Sequence, residues 1–199
     1  MGDIMKHEIE ILLLLPIVIV PLSESHAQWV QTSGPSGDGM IQCLAVNGNN
    51  LFAGTSTSGV YHSTNNGTSW ISANFGLTNP IINALGVEGD NLFAATYMGG
   101  IFLSTNNGES WTPASAGLTN PNVQAFAVSG KYLFAGTYDG VFRSSDNGAS
   151  WTLVSSGFTI NTDVYAFAVS GSDLYAGTGG DGVFLSTNNG DSWTPVNSG

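Results

Sequence analysis

Ser63-Thr64-Asn65-Asn66-Gly67-Thr68-Ser69-Trp70 returns as Ser104 to Trp111, as Ser144 to Trp151 and as Ser186 to Trp193. The four tryptophans stand 41, 40 and 42 residues apart, and Trp29 lies 41 before Trp70. A fixed turn and a fixed aromatic at a period near forty mark a repeat architecture, each copy being one supersecondary unit.

Around each octapeptide the unit reads as four short strands. In the third unit, Val123-Gln124-Ala125-Phe126-Ala127-Val128 is nearly all apolar and ends at Ser129-Gly130. Tyr132 to Thr137, Val141 to Ser144 and Ser150 to Val154 follow, separated by Tyr138-Asp139-Gly140 and by Ser145-Asp146-Asn147-Gly148. Runs of β-branched and aromatic residues between Gly, Asn and Asp predict a β-meander. Asn-Gly at 66–67, 107–108, 147–148 and 189–190 is a strong hairpin signal, because both residues readily take positive φ. No stretch from residue 28 onward has helical periodicity. The first strand of each unit is apolar on both faces and mostly small, as expected where neighbouring sheets crowd together. Four-stranded sheets repeated radially at this period predict a β-propeller, with blades over about 40–75, 81–116, 122–156 and 164–198.

Outside the repeat, residues 1–27 carry Lys6 and His7, an apolar run from Ile9 to Val20, and Ser25-His26-Ala27. Charge, apolar core and small-residue exit predict a secretory signal peptide. The run is short of the roughly 20 residues a membrane span needs, and Pro16 interrupts it. The expected chain is therefore secreted or periplasmic, spans residues 28–199, and has no stable membrane insertion after cleavage. In it Lys131 and Arg143 are the only strong bases against ten acids, a net charge of −8. Such a surface cannot neutralise a row of phosphates, which excludes nucleic acid as a partner. Cys43 is the only cysteine, so no internal disulfide exists; its apolar surroundings predict a buried, inert thiol. His62, with no second histidine after residue 27, predicts a strand side chain and not a metal ligand. No metal and no cofactor are expected.

The octapeptide resembles the Asp-box, also called the BNR repeat, Ser-x-Asp-x-Gly-x-Thr-Trp. Its positions map onto Ser63, Asn65, Gly67 and Trp70; Ser104, Asn106, Gly108 and Trp111; Ser144, Asp146, Gly148 and Trp151; and Ser186, Asn188, Gly190 and Trp193. The resemblance covers essentially residues 29–199. Asn replaces Asp in three copies. Either side chain can close the turn through backbone amides, but a role that needs negative charge, such as calcium binding, does not survive the change. In this family the box sits at the hairpin between third and fourth strands and its tryptophan packs on the blade. The resemblance therefore implies structural residues and not a site.

Trp29 to Gly34 matches the fourth-strand segments. The repeat thus contains four complete blades plus one fourth-type strand over 29–34, an arrangement expected of an incomplete or truncated propeller. Related Asp-box propellers have six to eight blades.

Several Asp-box proteins are enzymes. Sialidases resemble this chain in the repeat, but clamp their substrate carboxylate with three arginines, and bidentate recognition needs guanidinium geometry. With Arg143 alone, an active sialidase is excluded. Xyloglucanase-like relatives use paired carboxylates across a cleft. By strand parity, the second-to-third-strand loops share one rim with the inter-blade loops. That rim carries Tyr97, Tyr138, Asp139 and Asp181, with Asn79, Asn120, Asn161 and Asp163 beside them. Asp139-Gly140 and Asp181-Gly182 suit turns for backbone reasons alone, so no catalytic residue is assigned. Photosystem II assembly factors are similar non-enzymatic relatives with an arginine-rich patch that this chain lacks. The expected function is a non-catalytic binding or scaffold module for a protein or glycan. A fragment of a larger glycosidase, or an architectural repeat of a surface protein, are the alternatives.

Overall fold

The computed structural model describes residues 31, 32, 34, 35, 39–160 and 162–197. The signal-type segment, Trp29 and Asn161 lie outside the described residues. Sixteen strands occur among the described residues, with no helix. They form four antiparallel four-stranded sheets, each taking its strands in chain order. Blade one comprises β1 (Ile41–Asn47), β2 (Asn50–Thr55), β3 (Val60–Ser63) and β4 (Ile71–Ser72). Blade two comprises β5 (Ile82–Glu88), β6 (Asn91–Thr96), β7 (Gly100–Ser104) and β8 (Thr112–Pro113). Blade three comprises β9 (Val123–Ser129), β10 (Tyr132–Thr137), β11 (Gly140–Ser144) and β12 (Thr152–Leu153). Blade four comprises β13 (Val164–Ser170), β14 (Asp173–Thr178), β15 (Val183–Ser186) and β16 (Thr194–Pro195).

First and second strands join through two-residue hairpins. Gly48, Gly89, Gly130 and Gly171 lead them at φ 57–61°, the left-handed start a type II′ turn requires. The octapeptide is built differently from the two-residue hairpin its Asn-Gly pair predicts. Asn66 and Gly67 do take positive φ, as do their counterparts, but inside a seven-residue loop between β3 and β4. Ser63, Ser104, Ser144 and Ser186, each 1% exposed, organise that loop. Ser104 Oγ accepts from Gly108 N–H at 2.9 Å and donates to Asn106 Oδ1 at 2.8 Å. Asn106 Oδ1 then accepts from Ser110 N–H at 3.0 Å, and Asn106 Nδ2 donates to Ser110 Oγ at 2.9 Å. In the third copy the last bond reverses: Ser150 Oγ donates to Asp146 Oδ2 at 2.6 Å. A hydroxyl both donates and accepts, which is why Asn and Asp interchange here.

The expected fourth strand is longer than the observed one. Trp151 stands outside β12 because its N–H donates to Ala116 O at 2.8 Å, in the loop that leaves the preceding blade. Trp111 N–H and Trp193 N–H do the same to Phe75 O and Ser156 O. Gly76, Gly117 and Gly157, at φ 86–105°, let the two backbones meet, since a Cβ at any of them would strike the tryptophan carbonyl. The indoles carry this inter-blade contact further. Trp111 Nε1 donates to Ala73 O at 2.8 Å, Trp151 Nε1 to Ala114 O at 2.9 Å, and Trp193 Nε1 to Val154 O at 2.8 Å.

Each hydrophobic cluster accordingly lies between two blades and not within one. Phe52, Val60, Ile82, Leu92, Phe102 and Trp111 fill the first interface. Phe93, Ile101, Val123, Leu133, Phe142 and Trp151 fill the second, and Phe134, Val141, Val164, Leu174, Phe184 and Trp193 the third. Inner strands pack consecutively, β1 on β5, β5 on β9 and β9 on β13. The outer ends do not meet as these do: Leu44 and Val46 of β1 are 68% and 60% exposed, and most of β13 is exposed. The four blades are an open arc. Of the N-terminal strand expected over 29–34, Thr32 and Gly34 pair with no strand among the described residues. Thr32 nonetheless touches Gly67.

Two outcomes follow from the octapeptide. Ser104→Ala deletes a buried hydroxyl and its hydrogen bonds with Asn106 Oδ1, Asn106 N–H and Gly108 N–H, so urea unfolding should show about 1–3 kcal/mol lost, whereas Asn106→Asp should stay within about 0.5 kcal/mol. Hydrogen bonds from Ser150 Oγ, then Ser144 Oγ and Ser150 N–H, hold the Asp146 carboxyl at about 2, below its ordinary 3.8. A depressed carboxyl contributes stability above its unfolded pKa and loses it as pH falls through the folded one. Thermal unfolding from pH about 4 down to about 2 should therefore fall more steeply for the wild type than for Asp146→Asn.

Candidate functional site

At the end of the arc opposite the octapeptides, the loops between second and third strands meet the loops that enter each blade. Asn79 Nδ2 donates to Tyr97 O at 2.7 Å, and Tyr97 N–H to Ile81 O at 2.9 Å. In the next blade Asn120 Nδ2 donates to Asp139 Oδ2 at 2.8 Å. In the last, Thr159 Oγ1 and Thr162 Oγ1 donate to Asp181 Oδ2 at 2.6 and 3.1 Å. Asp139 N–H and Asp181 N–H are in turn held by the Thr137 and Thr178 hydroxyls. The carboxylates of the two acids named from the sequence therefore tie their loops to the loops that enter their blades.

The rings are placed differently. Tyr97 is 43% exposed beside Met98, a non-glycine residue at φ 54°. That conformation is uncommon for a long side chain and is stored where surroundings enforce it. In the same loop the buried Thr96 hydroxyl has no partner, although Thr55, Thr137 and Thr178 each donate across the matching loop to Gly59 O, Gly140 O and Gly182 O. Tyr138 meets Tyr165 edge-on at 6.0 Å between centroids. The Tyr165 hydroxyl donates to Asp163 Oδ2 at 3.5 Å. Its pKa is raised, by desolvation first and then by the Asp163 charge.

Tyr165 was not legible as a rim residue because it looks like part of an apolar strand. Every inner strand has a register shift near its start, between Ile41 and Cys43, Ile82 and Ala84, Val123 and Ala125, and Val164 and Ala166. The extra residues are Gln42, Asn83, Gln124 and Tyr165. A bulge re-aims its side chain, so four hydrogen-bonding residues are gathered at the rim end of the inner strands. Asn83 Nδ2 donates to Val123 O at 3.2 Å on the neighbouring blade. The available signal was a single polar residue at the same place in four otherwise apolar runs.

Other candidates resolve into structural roles. Arg143 Nη1 donates to Asn189 O and Asp191 Oδ1, both at 2.6 Å, and its guanidinium lies over Tyr132. It ties blade three to the octapeptide of blade four. His62 stacks on Phe52 at 4.6 Å and bonds Asn50 Oδ1 through Nε2 at 2.9 Å. Its pKa is lowered by burial, against an opposing pull from Glu109. A cleft of about 200 Å³ opens beside it between blades one and two. Burial pushes the Cys43 thiol up to about 11, which leaves almost no thiolate at neutral pH. Along the inner strands of the first three blades runs an apolar groove of about 290 Å³ that includes Leu44, Leu85 and Phe126. Among the described residues no cluster of three His, Cys, Asp or Glu side chains has metal-binding geometry.

Comparisons with known proteins agree with this architecture. Residues 102–199 match the family described as the DUF6242 beta propeller domain. No curated protein matches. Among solved structures, an ancestral GH74 enzyme is 25% identical with a TM-score of 0.67, over 79% of this chain and 24% of that one. The GH74 xyloglucanase from Xanthomonas campestris is 20% identical with a TM-score of 0.63, over 81% and 31%. YCF48 bound to a D1 peptide is 14% identical with a TM-score of 0.59, over 84% and 56%. The chain spans about a quarter of the ancestral GH74 enzyme. It is an all-β propeller segment, similar in fold to GH74 and YCF48 propellers.

Proposed function

We propose that this chain is a non-catalytic, extracytoplasmic Asp-box propeller module that binds a neutral glycan across its rim. One observation carries the reading: exposed aromatic rings and hydrogen-bonding side chains converge on that end, while Asp139 and Asp181 are engaged by side chains of the loops that enter their blades. Tyr138 and Tyr165 offer ring faces, and Gln42 and Gln124 offer amides. Sugars present apolar faces to aromatic rings and hydroxyls to amides, a combination typical of a few polar groups set in an apolar site. The likeness to GH74 enzymes, one of them a xyloglucanase, supports a glucan as the glycan. The leader-like residues 1–27 support export, and the net charge of −8 after them supports a neutral ligand.

A second reading has its own support. The ancestral GH74 enzyme is about four times the length this chain matches, so the chain also suits one portion of a larger glycosidase, with Asp139 or Asp181 contributing an acid. Titration calorimetry with xyloglucan oligosaccharides separates the two. Binding without turnover is expected, weakened about tenfold, or roughly 1.4 kcal/mol, by Tyr138→Ala at unchanged thermal stability. No heat with any neutral β-glucan oligosaccharide at millimolar concentration would reject the glycan module. Reducing-sugar release abolished by Asp139→Asn or Asp181→Asn would instead establish the glycosidase.

A further inference from the structure

The two outer faces of the arc are the two halves of one interface that the molecule already makes three times. On blade one, Leu44 and Val46 stand where Leu85 and Val87 of blade two, and Phe126 and Val128 of blade three, pack against the preceding blade. On blade four, Ala166 and Ala168 are exposed. Their counterparts toward the next blade are Ala84, 6% exposed, and Gly86, whose Cβ position lies 2.9 Å from Phe126 Cβ. Val183 is 40% exposed, while Val60, Ile101 and Val141 at the same place are fully buried.

Three further features show that these faces are shaped for one another. Trp70 alone of the four octapeptide tryptophans donates its indole N–H to its own turn, Gly67 O at 3.1 Å. The other three reach a carbonyl of the preceding blade, and the matching carbonyl left over is that of Val196 on blade four. Gly177 has only Ala166 near its Cβ position, yet its counterparts Gly54 and Gly136 are hard against Ile82 and Val164 of the next blade, and Ala95 at the same place is fully buried. The same position on blade four is therefore uncovered and open to an approaching strand. Finally, phenylalanine gives way to tyrosine at each open face alone: Tyr61 replaces Phe102, Phe142 and Phe184, and Tyr175 replaces Phe52, Phe93 and Phe134. A tyrosine tolerates water when free and burial when docked.

We propose that a second copy of this chain docks head to tail, blade four of one copy on blade one of the other, so that Trp70 meets Val196. Faces that repeat the internal interface fit a second copy better than an unrelated protein. Such a contact is heterologous, and two copies joined by two of them close a ring. One adjustment is needed. Thr32 occupies against Gly67 the seat that Ala73 holds against Gly108 and Val154 against Gly190. Thr32 is exposed, and docking seats Val196 there in its place.

Sedimentation of the full chain at about 10–100 μM tests the contact, a range in which micromolar dissociation constants are resolved. A dimer is expected, and Leu44→Asp should shift it to monomer at an unchanged monomer melting temperature, whereas Ile160→Asp, 93% exposed and off both faces, should not. Crosslinking gives an independent readout. In Cys43→Ala/Leu44→Cys/Ala168→Cys, mild oxidation should join Leu44→Cys of one copy to Ala168→Cys of the other as a disulfide, the oxidant taking up the two electrons and two protons. A monomer throughout that range, with no crosslinked dimer, overturns the proposal. So does a dimer insensitive to Leu44→Asp.

Discussion

The donation of an octapeptide indole to a carbonyl of the blade before it, made by Trp111, Trp151 and Trp193, is the interaction on which the rest of the structure depends. Trp111, Trp151 and Trp193 are each 3% exposed, and each hydrogen-bonds beyond its own sheet. A lone antiparallel sheet of this size has no second layer to cover it and is marginal in water. The indole supplies a large buried surface and a fixed direction at once. Its N–H must find a partner when buried, and that requirement sets where one blade sits on the next. The serine-centred loop in turn holds the tryptophan, because Ser104 Oγ and its counterparts brace the turn from which it projects.

The rim follows from that stacking. Inter-blade loops must run from an outer strand to the next inner strand, and Asn79 and Asn120 pin them to the second-to-third-strand loops of the blade they enter. Loops far apart in sequence thereby form one surface, the usual way in which a rigid scaffold presents a binding face. Asp139 and Asp181 on this surface accept hydrogen bonds from the loops that enter their blades, whereas Tyr97 and Tyr165 are exposed.

The strands, their order and the glycine-led turns could be read from periodicity because they depend on local sequence. Val123 to Val128 predicts a doubly covered strand, and β9 is one. Trp151 shows the limit: it scores as a strand residue, yet its backbone bonds the previous blade and the strand begins after it. Tyr165 and the other bulge residues were equally hidden, since a register shift arises from how two strands meet and not from either alone. Of the rim residues read from sequence, Tyr97, Tyr138, Asp139 and Asp181 occupy neighbouring loops at one end; only Tyr138 has another rim ring against it.

Sequence by itself determined the unit: four strands, an octapeptide turn, a tryptophan, and Asn or Asp as interchangeable residues able to close that turn. Those are short-range matters, settled by allowed φ values and by hydrogen bonds within a few residues. Tertiary structure alone decided how the units meet: indoles that bond the preceding blade, bulges that bring Tyr165 to the rim, and acids occupied by neighbouring loops. Such outcomes depend on contacts between residues some forty positions apart, such as Trp111 with Ala73, and no local pattern encodes their geometry.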